Sequence, residues 1–387
     1  MTKKPKLLFI APSFGVHSEV WLYRQATMVN ELDVHVLCYQ HQNQEHYPAQ
    51  RCAVTELHPT RNLISQRWQT TKRMIKRRLL SADSYFKNDF DSSIWDKIVK
   101  TEFNTCLIQY GTMACRFVER VQRAGIPYAI HFNGFDLSKK INDPQYIRRL
   151  KPALKSASVL IVVAEYMRDW LIQQGVERDK VKYLPYGVPL ERFQAGPKDS
   201  QLCQFLMVGR LTPKKAPKST IQAFAQCYRQ FPNSRLRIVG DGELQAECEA
   251  LVQQLQIGSA VNFLGAQPTE VVQHELASAD VFLQHSITPT SGDREGWPVA
   301  IAEAAASGLP IVSTRHASIP EQVIDGETGF LVAEHDWNAM ADKMAILAGN
   351  SEKRRVMGGK SRTHIASWDS KKQISQLEQI LLSIRKR

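Results

Sequence analysis

The sequence predicts an α/β protein made of two Rossmann-like domains that face each other across a cleft. Three observations carry this. Short apolar runs alternate with helix-like stretches along the chain, the pattern of parallel sheets flanked by helices. The alternation falls into two series, parted by the Pro- and Gly-containing segment 184–200. The 387 residues, 43% of them hydrophobic, suffice for roughly two to three domains with real cores and exclude a disordered chain.

The first strand is expected at 6–11. Its apolar run Leu7–Ile10 follows Lys3, Lys4 and Lys6 and so mimics the start of a secretion signal. The run is too short for one, and Pro12 and Gly15 follow it, so a buried strand is the better reading. Further strands are expected at 33–39, 105–109, 128–132, 159–164 and 181–184. The run Val159–Ala164 is far too short to span a bilayer. Helices between them are expected at 19–31, 112–124 and 166–174. The second series places strands at 204–208, 235–239, 261–264, 281–284, 310–313 and 329–332. Its helices are expected at 218–231, 243–255, 270–277, 299–307 and 337–347. Ile374, Leu377, Ile380, Leu381 and Ile384 recur at helical spacing in the tail. The resulting division is 1–187, a linker at 188–200, 201–366, and a C-terminal helix over 367–387.

Charge is uneven. Residues 1–190 hold 28 Lys and Arg against 17 Asp and Glu, whereas the remainder holds 22 against 21. Such asymmetry points the first half at an anionic surface. Segment 61–80 carries Arg61, Arg67, Lys72, Arg73, Lys76, Arg77 and Arg78 without an acid, and Ile64, Trp68, Ile75 and Leu79 at helical spacing. It reads as a basic amphipathic helix for a membrane surface, or as a solvated helix packed on its own domain. No helix-turn-helix, RNA-recognition or zinc pattern supports specific nucleic-acid binding. Seven scattered cysteines without a Cys-x-x-Cys pair read as buried hydrophobes of a cytosolic chain.

The chemistry concentrates in 294–310. Pro298 suits a helix first turn, and the amides of Val299 and Ala300 at that helix start form a ready anion site. Glu295 lies in the loop before it and Glu303 two turns along. Together they can hold sugar hydroxyls, or they are a dipole-facing acid and a solvated one. Gly209, Gly240 and Gly265 each follow a strand, where a glycine lets the backbone approach a ligand.

The frame Glu295-Gly296-Trp297-Pro298 through Glu303-Ala304 to Gly308 resembles the signature of retaining GT-B glycosyltransferases of family 4. So do Gly209-Arg210-Leu211 with Lys214-Lys215, Gly240-Asp241-Gly242 and Gly326-Glu327-Thr328-Gly329. Segment 313–321, with His316, is similar to transferases that build bacterial exopolysaccharides, including colanic acid.

The resemblance implies that Arg210 and Lys215 clamp the diphosphate of a nucleotide sugar, the co-substrate, and stabilise the leaving group. Glu303 is implied to hold the ribose, and Glu295 with the Gly296–Ala300 backbone the sugar and β-phosphate. No obligatory cofactor or metal is expected, and Asp89-Phe90-Asp91 is read as a chance surface pair. The family's Gly after the lysine is Ala216 here. Its His-Gly-x-Asp motif appears as His131-Phe132-Asn133-Gly134-Phe135-Asp136, with Asn133 in the histidine's place. Either His131 or Asn133 is expected to meet the donor sugar, and a buried structural His131 is equally open. Asp136, Ser18 and Glu19 are expected on the acceptor side, with Gly15 near the donor phosphate. The implied activity is sugar transfer to a glycan acceptor, lipid-linked, by a cytoplasmic enzyme peripheral at the inner membrane face. Transfer to a soluble small sugar, or plain nucleotide-sugar or anion binding, stays open.

Overall fold

The computed structural model describes residues 3–57, 92–196 and 202–386. The basic segment 61–80 and the Asp89–Asp91 pair lie outside these residues.

In the first half, strands β1 (Lys6–Ile10), β2 (Ser13–Phe14), β3 (Asp33–Cys38), β4 (Gln40–His41) and β5 (Cys52–Glu56) surround helix α1 (Val20–Thr27). There follow α2 (Ser92–Val99), β6 (Thr105–Gln109), α3 (Gly111–Arg123) and β7 (Tyr128–Phe132). Helix α4 (Pro144–Ser156), β8 (Val159–Val162), α5 (Glu165–Gln173) and β9 (Val181–Tyr183) complete this half. Its main sheet has seven strands in the order β5-β3-β1-β6-β7-β8-β9, all paired in parallel. Strands 7–10 and 106–108 are fully buried because helices cover both faces.

The second half runs β10 (Cys203–Val208), α6 (Pro217–Gln230), β11 (Ser234–Val239), α7 (Gln245–Gln254), β12 (Val261–Gly265) and α8 (Thr269–Ser278). It continues through β13 (Val281–Gln284), α9 (Val299–Ala306), β14 (Ile311–Thr314), α10 (Ile319–Gln322) and β15 (Gly329–Val332). Helices α11 (Trp337–Ala348), α12 (Ser351–Ile365) and α13 (Ser370–Ile384) close the chain. Six parallel strands lie in the order β12-β11-β10-β13-β14-β15. Strand order reverses at β1/β6 and at β10/β13, and ligands collect beyond the strand ends at such reversals.

Helix α13 lies on the first sheet, against β6, β7 and α1, burying Ile374, Leu377 and Leu381. Asp369 caps its start by accepting from the Lys371 N–H at 2.9 Å. All seven cysteines are free, and all but Cys115 are buried.

The twelve expected strands are present. The sequence reading omitted the short strands β2 and β4, edge strand β5 and helices α2, α4, α10 and α12. Helix α4 carries Pro152 inside it, and α12 holds Gly358, where a Cβ would sit 2.0 Å from the Gly308 carbonyl oxygen. A proline and a glycine argue against helix locally, and packing decides otherwise.

Ala216 has φ +36°, in the left-handed region, between the turn at 213–215 and α6. An L side chain there costs about 1–2 kcal/mol. Ala216→Gly is therefore expected to stabilise the fold by about 0.5–1 kcal/mol, once glycine's extra unfolded freedom is set against the relief. Urea denaturation of the two proteins checks this, and a destabilised glycine variant would refute it.

Candidate active site

The two sheet ends meet backbone against backbone. A Cβ on Gly134 would lie 2.5 Å from the Gly296 nitrogen, and one on Gly296 would lie 2.7 Å from the Gly134 nitrogen. Neither loop tolerates a side chain at this crossing. Hydrogen bonds flank it. The Arg294 N–H donates to Ser138 Oγ at 3.1 Å, and the Tyr166 hydroxyl donates to the Glu295 carbonyl at 3.1 Å. Farther along, Glu321 accepts from the Glu165 N–H at 3.0 Å and from the Tyr183 hydroxyl at 2.7 Å. The Arg294 guanidinium stacks over the Tyr166 ring, 4.4 Å from its centroid.

Glu295 is held on every side. Its Oε1 lies 3.0 Å from Lys215 Nζ and accepts from Ser286 Oγ at 3.1 Å. Its N–H donates to His316 Nε2 at 3.1 Å, and His316 Nδ1 lies 2.7 Å from Glu334 Oε1. Because Nε2 accepts, the Nδ1 proton faces Glu334, which fixes the tautomer. Burial works to raise the Glu295 carboxyl, but Lys215 and Lys214 beside it hold it down at about 2. Burial lowers the Lys215 ammonium, against the pull of Glu295. Lys214 pairs with Asp293 at 3.2 Å.

Around this pair stand groups without such partners. Arg210 is exposed and makes no ion pair with a described residue. The first intrahelical bonds of α9 begin at the Ile301 N–H, which leaves the Val299 and Ala300 amides unbonded at the helix start. The Lys215 stem runs past Gly209. Gly240 has φ +128° and would bring a Cβ within 2.1 Å of the Gly209 carbonyl oxygen, so the two strand ends close tightly here. Gly265 closes β12, its carbonyl accepting from the Gly240 N–H at 2.7 Å.

Glu303 is partly buried. Burial raises its carboxyl to about 7, against the charges of Arg24 and Arg192. Glu19 accepts from the Tyr110 hydroxyl at 2.7 Å. Burial raises it too, with Tyr110 and Arg210 acting to lower it. The Ser18 side chain lies outside what the structure describes. Gly15, at φ +78°, serves its turn, because a Cβ would sit 2.2 Å from the Gln42 carbonyl oxygen.

Two of the expected site residues are buried. His131 is 2% exposed, wedged between Trp21 and Tyr186 with Gln25 Nε2 3.4 Å from its Nδ1. Burial pushes its proton affinity down to about 3, which favours the neutral ring. Strand β7 ends at Phe132, and the chain turns at 133–136, where the Asp136 N–H donates to the Asn133 carbonyl at 3.0 Å. Asp136 is wholly buried and accepts from the Asn133 N–H at 2.9 Å. Burial pushes it up to about 7. Its carboxylate builds this turn. The Trp297 ring packs with its centroid 5.2 Å from that of Trp368.

Sequence reasoning gave no role to Ser138, Tyr166, Ser286, His316 or Glu334. Only His316 fell inside a quoted motif, and no spacing rule would have joined it to Glu295 across 21 residues.

Residues 190–364 match the model of glycosyl transferases group 1, and residues 15–187 match that of the glycosyl transferase 4-like domain. The chain belongs to the group 1 glycosyltransferases. Among relatives of this family is WcaL of Escherichia coli, named for colanic acid biosynthesis. It is 33% identical over 219 residues, covering 56% of this chain and 54% of WcaL. The amylovoran biosynthesis glycosyltransferase AmsK of Erwinia amylovora is 31% identical over 212 residues, covering 54% and 52%. The match thus spans about half the length of these curated relatives. Among solved structures, Anabaena HepE in complex with UDP and glucose has a TM-score of 0.76 at 18% identity, covering 98% of this chain and 99% of that one. The lipopolysaccharide-biosynthesis glycosyltransferase WaaG gives 0.71 at 14%, covering 97% and 99%. The group 1 fold here is GT-B, two facing α/β domains with parallel sheets.

The Glu295 carboxyl, ordinarily near 4.5, sits at about 2 in the fold. Its ionic contribution to stability is therefore present above about 4.5 and lost as pH falls toward 2. The melting-temperature gap between wild type and Glu295→Gln is expected to be full at neutral pH and to narrow through that window. A gap independent of pH would refute the assignment.

Proposed function

We propose that this chain is a retaining glycosyltransferase that moves a sugar from a nucleoside-diphosphate donor to a lipid-linked glycan acceptor in cell-surface polysaccharide assembly. The observation that carries the reading is the cradle of Lys215, exposed Arg210 and the unbonded Val299 and Ala300 amides, set beside Glu295 at the domain crossing. When the C1–O bond to the β-phosphate breaks, negative charge gathers on the departing diphosphate. Fixed cations and amides at that point lower the barrier most, because they need no reorganisation.

In this reading Arg210 and Lys215 hold the diphosphate, with the α9 start beneath it. Glu295 and Asn133 hold the donor sugar, and Glu303 the ribose. The acceptor enters past Glu19. Its oxygen bonds to C1 on the face the phosphate leaves, and its proton passes to the departing phosphate oxygen. No protein nucleophile and no obligatory metal is assigned. The positive balance of residues 1–190 supports a station at an anionic membrane surface. No helix among the described residues is long and apolar enough to cross a membrane.

A thermal-shift panel with UDP-, GDP-, ADP- and CDP-sugars tests the donor. A ligand at 100 times its Kd stabilises a fold by about 2.7 kcal/mol. One nucleotide is expected to raise the melting temperature in wild type, and Arg210→Ala to abolish the shift. A shift that survives in Arg210→Ala would remove Arg210 from the clamp. The surface assignment is tested separately. The protein is expected to sediment with vesicles containing phosphatidylglycerol at low salt and to release as salt rises. Failure to sediment at low salt would sink it.

A further inference from the structure

Tyr110 holds a backbone conformation that favours glycine. It stands directly after β6 with φ +71° and ψ 140°, where an L side chain is rarely accommodated. The sequence places its glycine one position later. Gly111 is needed where it stands, because a Cβ there would lie 2.1 Å from the hydroxyl of the wholly buried Tyr146. A tyrosine kept in this conformation must be held by its surroundings, and such outliers collect at functional sites.

The surroundings of Tyr110 divide into two sets. Its N–H donates to the His131 carbonyl at 2.9 Å, and its carbonyl accepts from the Ala114 N–H at 3.1 Å. Its ring meets Trp21 edge to face, with centroids 6.2 Å apart. These contacts involve the backbone and the ring, and a phenylalanine would keep them. The hydroxyl remains, and it donates to Glu19 Oε1 at 2.7 Å.

Glu19 does not use that carboxylate on its own helix. It is the residue before α1, yet the helix start takes no side-chain cap. Its Oε2 accepts no hydrogen bond from a described residue. The charge of Arg210, on the other domain, acts on the same carboxyl. Glu19 ends the loop that follows β1, and Tyr110 follows β6. These two strands are the neighbours at which strand order reverses. The bond between hydroxyl and carboxylate therefore bridges the strand ends where doubly wound sheets bind ligands.

We propose that Tyr110 is a positioning residue for the acceptor: its hydroxyl fixes one oxygen of Glu19 and leaves the other to an acceptor hydroxyl, and the left-handed turn at 110 delivers it there. This rests on the reading above that the acceptor enters past Glu19, and adds what aims that carboxylate. Tyr110 acts through Glu19 and is assigned no contact with either substrate.

Two rates separate aiming from folding. Donor hydrolysis, the transfer of the sugar to water, needs no acceptor and is measured with UDP-, GDP-, ADP- and CDP-sugars in turn. Transfer is measured as radiolabelled sugar reaching the lipid extract of membranes from cells that make the polysaccharide. Tyr110→Phe is expected to cut transfer about tenfold, the loss of one hydrogen bond to a charged group. It should lower donor hydrolysis less than about twofold, because the donor contacts stay in place. Glu19→Ala should cut transfer at least as far. Adding Tyr110→Phe to Glu19→Ala should then cost less than about twofold more, since the two act as one unit. Wild-type transfer in Tyr110→Phe would overturn the assignment. So would equal losses of transfer and hydrolysis, the mark of a merely structural tyrosine, or losses that multiply in full in the double variant. If Glu19→Ala transfers like wild type, the acceptor reading of Glu19 falls, and this assignment with it.

Discussion

Gly134 and Gly296 touch with no side chain between them, and the rest of the site depends on that crossing. The two sheets end at loops, and loops alone would not fix a distance between domains. Here the backbone of one loop sets the closest approach of the other. Ser138 and Tyr166 then bond the Arg294 N–H and the Glu295 carbonyl. The N-terminal domain thereby helps to aim a carboxylate that belongs to the C-terminal one.

The same economy governs the charges. A buried ion pair gains little net stability, because desolvation offsets most of the Coulomb attraction. Lys215 and Glu295 are retained at that cost. Ser286 supplies a further hydrogen bond, and His316 with Glu334 fixes the backbone behind the carboxylate. What results is a rigid, nearly neutral knot with Arg210 left open beside it. Such preorganisation is what a developing anion exploits, since no dipole has to turn at the moment of reaction.

Much of this was legible in the chain. Buried parallel strands read as unbroken apolar runs, so β6, β7, β13 and β15 could be placed to the residue. Edge strand β5 could not, because Ala53 is exposed and its run alternates weakly. At the site, Arg210, Lys215, Glu295 and Glu303 stood in recognisable frames. The residues that position them did not, because contacts such as Tyr166 to Glu295 span 129 residues and leave no local trace.

The chain passes between the domains twice, and the two passages lie side by side. The Val188 N–H donates to the Trp368 carbonyl at 2.9 Å, and the Ser370 N–H donates to the Val188 carbonyl at 2.9 Å. Gly187 beside them has no room for a Cβ, which would lie 2.9 Å from the Trp368 oxygen. A single tether would let one body swivel about it. Two tethers bonded along one line act as a door's pin, permitting a swing about that line and resisting twist and slide. Any swing about that line would keep the two passages in register, so the approach of Gly296 to Gly134 is referred to one seam rather than to two independent linkers.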